Sequence, residues 1–344
     1  MSDLNEHTDE SGELYEHYRF AVDGGQAPLR IDKYLFTKLS DASRNRIQNA
    51  AKAGNILVND QPVKPNYKVR PHDTITIVLA YPPRDTDIYP EDIPIDVVYE
   101  DKEILVVNKE AGMVVHPGHG NFSGTLLNAL VFYFQNSPDN KNTDAKPFLA
   151  HRIDKDTTGI LLVAKNELSQ SKLAKQFYDH TIARTYITLV WGDLSDDEGT
   201  ITGNIARSGR DRTVMAIYDD DEVGRHAITH YKVLERFGYV TLVECRLETG
   251  RTHQIRAHFK HIGHPLFNDA KYGGNEILRG TTFTKYKQYI QNCFNIIPRQ
   301  ALHAKSLGFV HPVTRKPMFF DSALPEDFQT VLEKWRSYTH PQTP

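Results

Sequence analysis

Apolar residues along the chain fall into short runs that alternate with helical patterns. Helices are predicted over residues 166–180 and 253–262, and in the second Ile255, Phe259 and Ile262 share one face. Four further runs have the length and composition of buried strands: EILVVNK at 103–109, GILLVAKN at 159–166, RTYITLVWG at 184–192 and YVTLVECRLE at 239–248. This mixture predicts an α+β domain, which we place at residues 95–336.

A smaller unit precedes this domain and is predicted at residues 18–81. Apolar residues at helical spacing begin at Ile31, a second helix follows Ser43 and stops near Gly54, and short strands with turn dipeptides complete the unit. The other segments lack periodicity: an acidic, disordered leader at 1–17, a linker rich in proline and acid at 82–94, and a tail at 337–344.

Composition excludes several classes of protein. The chain has 344 residues, 39% of them hydrophobic, and a net charge of −3. Its apolar runs are far shorter than the ~18 residues of a membrane helix, and its acidic N-terminus is unlike a signal peptide, so we expect a cytoplasmic protein. Cys245 and Cys293 are too few for a disulfide framework or a thiolate metal site.

Charge is distributed unevenly, because residues 30–70 are strongly basic although the chain as a whole is acidic. A solvated charged face would explain this pattern, and so would a surface that binds RNA phosphates. Two of the arginines begin the second helix, where the helix dipole also favours phosphate. The candidate RNA-binding residues are Arg30, Lys33, Arg44, Arg46, Lys52, Lys68 and Arg70.

The stretch HRIDKDTTGILLVAKN at residues 151–166 places a cluster of polar residues directly before an apolar run. One interpretation is an ordinary turn before a buried strand, since its residues suit turns well. The other is a reactive carboxylate, Asp154, held at the end of a core strand. A half-buried aspartate needs a cationic partner. Arg256 lies beside the buried stripe of the second predicted helix and is favoured over Arg251, which lies nearer the turn.

The basic unit resembles the S-four type of RNA-binding module. The segments that carry this resemblance are RIDKYLFTKL, SRNRIQNAAKAGNILVND and KVRPHDTITI, which together cover nearly all of the unit. The resemblance favours RNA binding over a merely solvated face.

The larger domain resembles the RluA/RluD class of pseudouridine synthases. HRIDKDTTGILLVAKN is close to the signature HRLDKDTSGLLLVAK of that family. The similarity continues through KEAGMVVHPG at 109–118, RTYITLVWG at 184–192, TGRTHQIRAHFKHIGHP at 249–265 and RQALHA at 299–304. The resemblance implies a catalytic domain with a mixed or antiparallel sheet and an N-terminal RNA-binding domain. Mild departures, such as Glu110 in place of proline, leave every reacting group present.

The resemblance also implies a reaction and its residues. These enzymes break the glycosidic bond of a uridine in RNA, turn the uracil and rejoin it through carbon, without a metal or other cofactor. The essential aspartate maps onto Asp154, which either attacks the sugar or assists loss of a proton from it. Tyr186 maps onto the tyrosine that stacks on the base and accepts a proton, although its alternative role is core packing. Arg256 pairs with the aspartate, and Arg152 fills the stack that the flipped base leaves.

The expected substrate is large-subunit ribosomal RNA, within or outside a pre-ribosomal particle, and the expected state is a monomer. Transfer RNA is an alternative substrate. A second alternative is a non-catalytic RNA-binding factor in ribosome assembly, which would not need Asp154, Tyr186 and Arg256 together.

The histidines His253, His258, His261 and His264 suggest a metal site by their spacing. However, the sequence has no helical HExxH pattern and no carboxylate within this cluster. We therefore expect polar surface histidines and no metal.

Overall fold

The structure is a computed structural model that describes residues 15–39, 42–79, 88–118, 121–138, 146–211, 213–220 and 222–339. Its contacts divide the chain into two compact units, residues 1–87 and 88–344. None of the helices in the described ranges is long and apolar enough to cross a membrane.

The small unit packs two helices against short antiparallel strands. β1, β6, β3 and β4 form one sheet in that order, and β2 pairs with β5. The core contains Ile31 and Leu35 from the first helix, whose helical spacing the sequence shows, and Ile56 and Ile75 from the sheet. The elements are β1 (Tyr15–Ala21), β2 (Leu29–Arg30), α1 (Ile31–Lys38), α2 (Arg44–Lys52), β3 (Ile56–Val58), β4 (Gln61–Pro62), β5 (Lys68–Val69) and β6 (Thr74–Leu79).

In its described residues the larger unit contains an extended sheet, five helices and one short 3-10 helix. Its elements are β7 (Asp96–Glu100), β8 (Ile104–Lys109), α3 (Leu126–Asn136), β9 (Phe148–Leu149), β10 (Thr158–Ala164), α4 (Glu167–Tyr178), β11 (Ala183–Trp191), β12 (Glu198–Arg207), β13 (Met215–Tyr218), β14 (Arg225–Arg236), β15 (Val240–Leu247), α5 (Gln254–His261), the 3-10 helix (Ala270–Tyr272), α6 (Thr284–Ile296), β16 (Leu302–Val310), β17 (Pro317–Asp321) and α7 (Glu326–Thr339).

As far as the structure describes the chain, the sheet has 11 strands, and its main path is β13-β12-β14-β15-β11-β16-β10-β8-β7. Its pairs are antiparallel except β10 with β16, which run parallel. At the junction of these two strands Thr158 pairs with His303 and Gly159 with Ala304. The parallel pair therefore lies at the entrance to β10, directly after the polar stretch of residues 151–157.

β8 and β10 are buried on both faces, which explains their continuous apolar runs. On one face Leu161 and Val163 pack with Leu130 and Phe134 of α3. On the other face Ile160 and Leu162 pack with Leu173 of α4. A third cluster packs α6 and α7 against β11 and β15 and contains the two tryptophans, Trp191 and Trp335. The centre of the sheet is consequently packed on both faces.

The predicted segment boundaries differ from the structure in detail. β1 begins at Tyr15, inside the predicted leader, and α7 continues to Thr339, inside the predicted tail, because its apolar face packs on the core as far as Trp335. In the predicted linker, residues 82–87 lie outside the described part, whereas residues 88–94 belong to the larger unit. There the side chain of Asn128 donates to the carbonyl of Tyr89.

Gly159 is required where β10 meets β16. Its φ of +114° is rarely adopted by other residues, and an added Cβ would lie 2.2 Å from the carbonyl oxygen of Ala304. Gly159→Ala should therefore lower the free energy of unfolding by at least about 1–3 kcal/mol, measured by urea denaturation. Gly112→Ala is the matched control, since φ is +82° there but a Cβ would meet no atom within 4 Å. Equal losses in the two variants would contradict the role of crowding at Gly159.

Candidate active site

One cavity in the larger unit collects the predicted catalytic residues. It has a volume of about 590 Å³ and lies between the loop before β10, the start of β11, the turn after β15 and the first turn of α5. Arg152, Asp154, Tyr186 and Arg256 all line it. The fold therefore brings together residues from three distant segments of the sequence.

Asp154 lies in the loop that leads into β10, and its side chain is 19% exposed. The backbone N–H of Thr157 donates to the carbonyl of Asp154 over 3.1 Å and closes a tight turn. Nε2 of His151 accepts a hydrogen bond of 2.9 Å from the backbone N–H of Leu162. Burial, with the charge of Arg184, lowers the pKa of His151 to about 3, so its ring is the neutral form that this bond requires. The first bond thus closes the loop on itself, and the second ties its beginning to β10.

Arg256 connects Asp154 to a second carboxylate. Its Nη1 donates to Oδ2 of Asp154 over 2.9 Å, while Nε and Nη2 donate to Asp269 over 2.7 and 2.8 Å. Asp269 is fully buried and also accepts from the backbone N–H groups of Lys271 and Tyr272. Burial alone lowers the pKa of Arg256, but the two carboxylates outweigh burial and raise it. A charged guanidinium is therefore fixed against Asp154.

Tyr272 and His253 complete the surroundings of this guanidinium. The centroid of the Tyr272 ring lies 4.9 Å from Cζ of Arg256, a favourable cation–π distance. The Tyr272 hydroxyl lies 2.9 Å from Nδ1 of His253, whose Nε2 is 3.9 Å from Oδ1 of Asp154. Burial lowers the pKa of His253 despite the nearby Asp154 carboxylate. His253 is therefore favoured as a neutral neighbour of the carboxylate, with Arg256 as its cationic partner.

Tyr186 lies on β11 at a point where the strand is irregular. The register between β11 and β16 shifts between Thr185 and Tyr186, and bulges of this kind change the direction of side chains beside functional sites. The ring packs against the apolar core and also lines the cavity. Burial raises the pKa of the Tyr186 hydroxyl, so the neutral phenol is favoured. Tyr186 therefore packs against the core and also forms part of the cavity wall.

Lys109 fixes the other side of the Asp154 loop, although it does not line the cavity. Its Nζ donates to the carbonyl oxygens of Glu110, Met113 and Lys155 over 2.6, 2.9 and 2.8 Å. Burial lowers the pKa of Lys109 to about 7. Because Lys155 directly follows Asp154, this amine joins the loop after β8 to the loop that carries the carboxylate.

Two further arginines of the cavity wall differ in their contacts. Arg152 is exposed and belongs to the same loop as Asp154. Nε of Arg251 donates to the carbonyl of His226 over 3.2 Å. The guanidinium that contacts Asp154 is therefore that of Arg256, and Arg152 remains accessible to solvent.

The expectation that the clustered histidines are polar surface residues is wrong for His258. Its side chain is fully buried, with Nδ1 2.9 Å from the hydroxyl of Thr229, and burial lowers its pKa to about 4. The physical reason is that α5 is buried on nearly all sides, whereas the sequence pattern indicates a single apolar stripe. His261 is exposed, as expected. In the described ranges, no group of three or more potential ligands could hold a metal ion.

Sequence reasoning missed four residues around the site: Lys109, Arg184, Asp269 and Tyr272. Lys109 and Arg184 are the first residues of two motifs that resemble the family, KEAGMVVHPG and RTYITLVWG. Their place in these motifs was the signal that could have identified them. Asp269 had no local signal, because its need arises from the burial of Arg256, 13 residues earlier. The pairing of Asp269 with Arg256 is recognisable only from the three-dimensional structure.

Asp32 divides the predicted RNA-binding residues of the small unit into two groups. It is fully buried and forms ion pairs of 3.0 Å with both Arg30 and Arg44. Burial raises the pKa of Asp32, but hydrogen bonds from Gln48, Arg30 and Arg44 outweigh burial and lower the pKa to about 2. The two arginines remain nearly half exposed, at 43% and 44%. In the other group Lys33, Lys52, Lys68 and Arg70 are exposed, while the side chain of Arg46 lies outside the described part of the structure.

Comparison with known proteins places both units in families. A family model described as RNA pseudouridylate synthase matches residues 103–261, and a model of the S4 domain matches residues 29–75. A protein of Chlorobaculum parvum, named as an uncharacterized RNA pseudouridine synthase, is 44% identical over 91% of this chain and 95% of its own length. The chain belongs to the RNA pseudouridine synthase family. This confirms the predicted family, and the chain is an isomerase that acts on RNA.

Other relatives of this synthase are similar along most of the chain. The protein of Zymomonas mobilis named ribosomal large subunit pseudouridine synthase D is 39% identical over 88% of this chain and 93% of its own. The structure of human RNA pseudouridylate synthase domain containing 4 has a TM-score of 0.55 and 21% identity, covering 70% of this chain and 93% of that one. At this identity it shows the fold, and the predicted α+β class is confirmed.

The pair of Arg256 with Asp269 should be essential for the stability of the synthase. Asp269→Asn removes one charge of a buried pair, so we expect the free energy of unfolding to fall by about 3–5 kcal/mol in urea denaturation. Glu235→Gln is the control, because its ion pair with Arg336 is largely exposed and should contribute less than about 1 kcal/mol. If Asp269→Asn cost no more than this control, the buried pair would not be a stabilising element.

Proposed function

We propose that this synthase isomerises uridines of large-subunit ribosomal RNA, with Asp154 as its catalytic carboxylate. The observation that carries the proposal is the contact of Asp154 with Arg256, which Asp269 in turn holds in place. A carboxylate that is 19% exposed, in a cavity large enough for a nucleotide base, is accessible to substrate and has a fixed cationic partner. The names of several relatives support ribosomal RNA as the substrate.

The reaction breaks the bond between N1 of uracil and the anomeric carbon, and later joins C5 of uracil to the same carbon. Once that bond has formed, C5 loses its proton to solvent and N1 takes one up, so no proton is gained or lost overall. Asp154 acts in the first step, by attack on the anomeric carbon or by removal of the adjacent sugar proton. Arg256 positions the carboxylate and compensates its charge. Tyr186 stacks on the uracil. The raised pKa of Tyr186 favours this stacking role over its role as acceptor of the C5 proton, because a neutral phenol is a weak base.

The target uridine enters the cavity by flipping out of folded RNA, at a cost of a few kcal/mol of unstacking. Arg152 is exposed at the loop that carries Asp154, and its planar guanidinium suits the gap that the base leaves. The S4 domain contributes contacts to phosphates through Lys33, Lys52, Lys68 and Arg70. Because Asp32 compensates part of their charge, Arg30 and Arg44 contribute less. The synthase works as a monomer in the cytoplasm, on free RNA or on a pre-ribosomal particle.

Asp154→Asn should abolish isomerisation and leave folding intact, since the amide keeps the shape of the carboxylate but not its charge. The measurement is pseudouridine mapping, by carbodiimide treatment and primer extension, on ribosomal RNA from cells that lack the gene and carry wild type or variant. We expect primer-extension stops in large-subunit RNA that are missing in cells without the gene. Wild type should restore these stops, and Asp154→Asn should not. Asp156→Asn, a neighbouring aspartate that does not line the cavity, should restore them.

The other results of this mapping are informative. A ribosomal pattern that does not change, with altered transfer RNA, would overturn the proposed substrate but keep the chemistry. Full activity of Asp154→Asn would overturn the catalytic role of Asp154. If no RNA changed at all while the protein still bound RNA, the non-catalytic assembly factor would be the better description.

The exposed lysines of the S4 domain should account for part of the salt dependence of RNA binding. Replacing Lys33, Lys52 and Lys68 with glutamine should reduce the slope of log K against log salt by about 2–3, since each lost phosphate contact changes it by about 0.7–0.9. Filter binding to a large-subunit RNA transcript measures this slope. The control replaces three exposed lysines of the larger unit that do not line the cavity, Lys285, Lys287 and Lys316. The same slope in wild type and the S4 variant would exclude these contacts.

A further inference from the structure

Arg184 is a buried arginine in the wall of the cavity, and neither the proposed chemistry nor the stability of the core accounts for it. It lies near the start of β11, two positions before Tyr186, and its side chain lines the same cavity. The residue is 8% exposed. A cation removed from water to this extent normally has an anionic partner, because burial of an unpaired charge is costly.

The contacts of Arg184 do not include such a partner. Its Nη2 donates to the carbonyl of Glu248 over 3.0 Å, and its Cζ lies 5.6 Å from the centroid of the Phe177 ring. Nη2 also lies 3.5 Å from the carbonyl of Leu247. Among the residues that the structure describes, the acceptors of Arg184 are thus backbone carbonyls and no carboxylate, and its Nε has no hydrogen-bond partner. Burial lowers the pKa of Arg184, as expected for a cation whose charge is not compensated.

The other buried arginines of the larger unit show the contrast. Arg256 pairs with Asp269 through two nitrogens, and Arg299 pairs with Asp327 in the same way. Nε takes part in both pairs. Among the described residues, Arg184 therefore has no carboxylate partner like those of Arg256 and Arg299. It lies, moreover, in the wall of the cavity that takes the substrate.

Gly250 leaves room for this guanidinium. A Cβ at residue 250 would lie 2.5 Å from Nη1 of Arg184, closer than nonbonded atoms approach. Gly250 lies in the turn after β15 and lines the cavity as well. The turn thus approaches the guanidinium closely without covering it by a side chain.

We propose that Arg184 binds a phosphate of the RNA strand at the target uridine. The proposal rests on the proposed function, because it assumes that the uridine enters this cavity. Phosphates are the anions that an RNA strand offers, and the planar fork of arginine binds phosphate oxygens with two hydrogen bonds. The phosphate takes the place of the missing carboxylate and compensates the charge of the guanidinium. Arg184 thereby fixes the sugar-phosphate backbone while Tyr186 and Asp154 face the base and sugar.

The test combines a variant of the protein with a change of the RNA. Single-turnover rates are measured with a short synthetic RNA centred on the uridine found by the mapping described above. In two further RNAs, one of the phosphates flanking that uridine is replaced by an uncharged methylphosphonate. One replacement should slow wild type about ten- to hundredfold, which is the loss of a charge-assisted hydrogen bond. Arg184→Gln should react slowly with all three RNAs. The methylphosphonate that slows wild type should reduce the rate of this variant little further.

Further variants separate binding from folding. Arg184→Lys keeps the charge but loses the fork, so it should retain part of the sensitivity to the methylphosphonate. Gly250→Ala should displace the guanidinium and resemble Arg184→Lys. Arg246→Gln is the matched control, because Arg246 is exposed, pairs with Glu244 and does not line the cavity, so it should behave as wild type. Urea denaturation of each variant verifies folding.

The outcomes distinguish this proposal from the proposed function. If wild type forms pseudouridine but Arg184→Gln and the methylphosphonates slow the reaction independently, Arg184 does not bind a flanking phosphate. If Arg184→Gln slows the reaction and neither methylphosphonate does, the arginine contacts uracil or sugar, and the proposal is also overturned. If wild type forms no pseudouridine in the unmodified RNA, the proposed function fails, and this inference fails with it.

Discussion

One buried guanidinium shared by two carboxylates determines the geometry of the cavity. Arg256 holds Asp269 with two nitrogens and Asp154 with the third, so the exposed carboxylate is positioned by the buried one. Removal of charges from water is costly, and a buried pair is tolerated when the remaining hydrogen-bonding groups are satisfied. The backbone N–H groups and the ring of Tyr272 meet this condition. The guanidinium of Arg256 thereby links three segments: the loop before β10, helix α5 and the segment that follows α5.

The scaffold around this group makes such a precise arrangement possible. β10 is buried along its whole length between two helical layers, and its entrance is fixed by the parallel pairing with β16. Gly159 allows the two backbones to approach closely there. A carboxylate attached directly before such a strand loses little conformational freedom when substrate arrives, which is the condition for preorganised catalysis. Flexible loops alone would not provide it.

The sequence was sufficient for the family, the α+β class and the principal strands and helices, because long apolar runs and quoted motifs carry that information locally. It was also sufficient to select Asp154, Tyr186 and Arg256 as residues that the fold brings to one cavity. Asp269 was not predictable, since its role depends on burial of a residue elsewhere in the chain. The same holds for His258, whose burial depends on strands packing over the face of α5 that the pattern suggests is polar. Contacts between polar residues that are far apart in the sequence leave little trace in the local pattern of apolar and polar positions.

The amine of Lys109 has a consequence for the loop that presents Asp154. Three carbonyl oxygens converge on this amine, and a protonated lysine has three N–H groups, one for each. A neutral amine has two, so loss of the proton leaves one carbonyl in a buried place without a donor. The three carbonyls favour the charged form, whereas burial lowers the pKa to about 7. The shape of the loop that carries Asp154 is therefore linked to a proton on a lysine that lies outside the cavity lining.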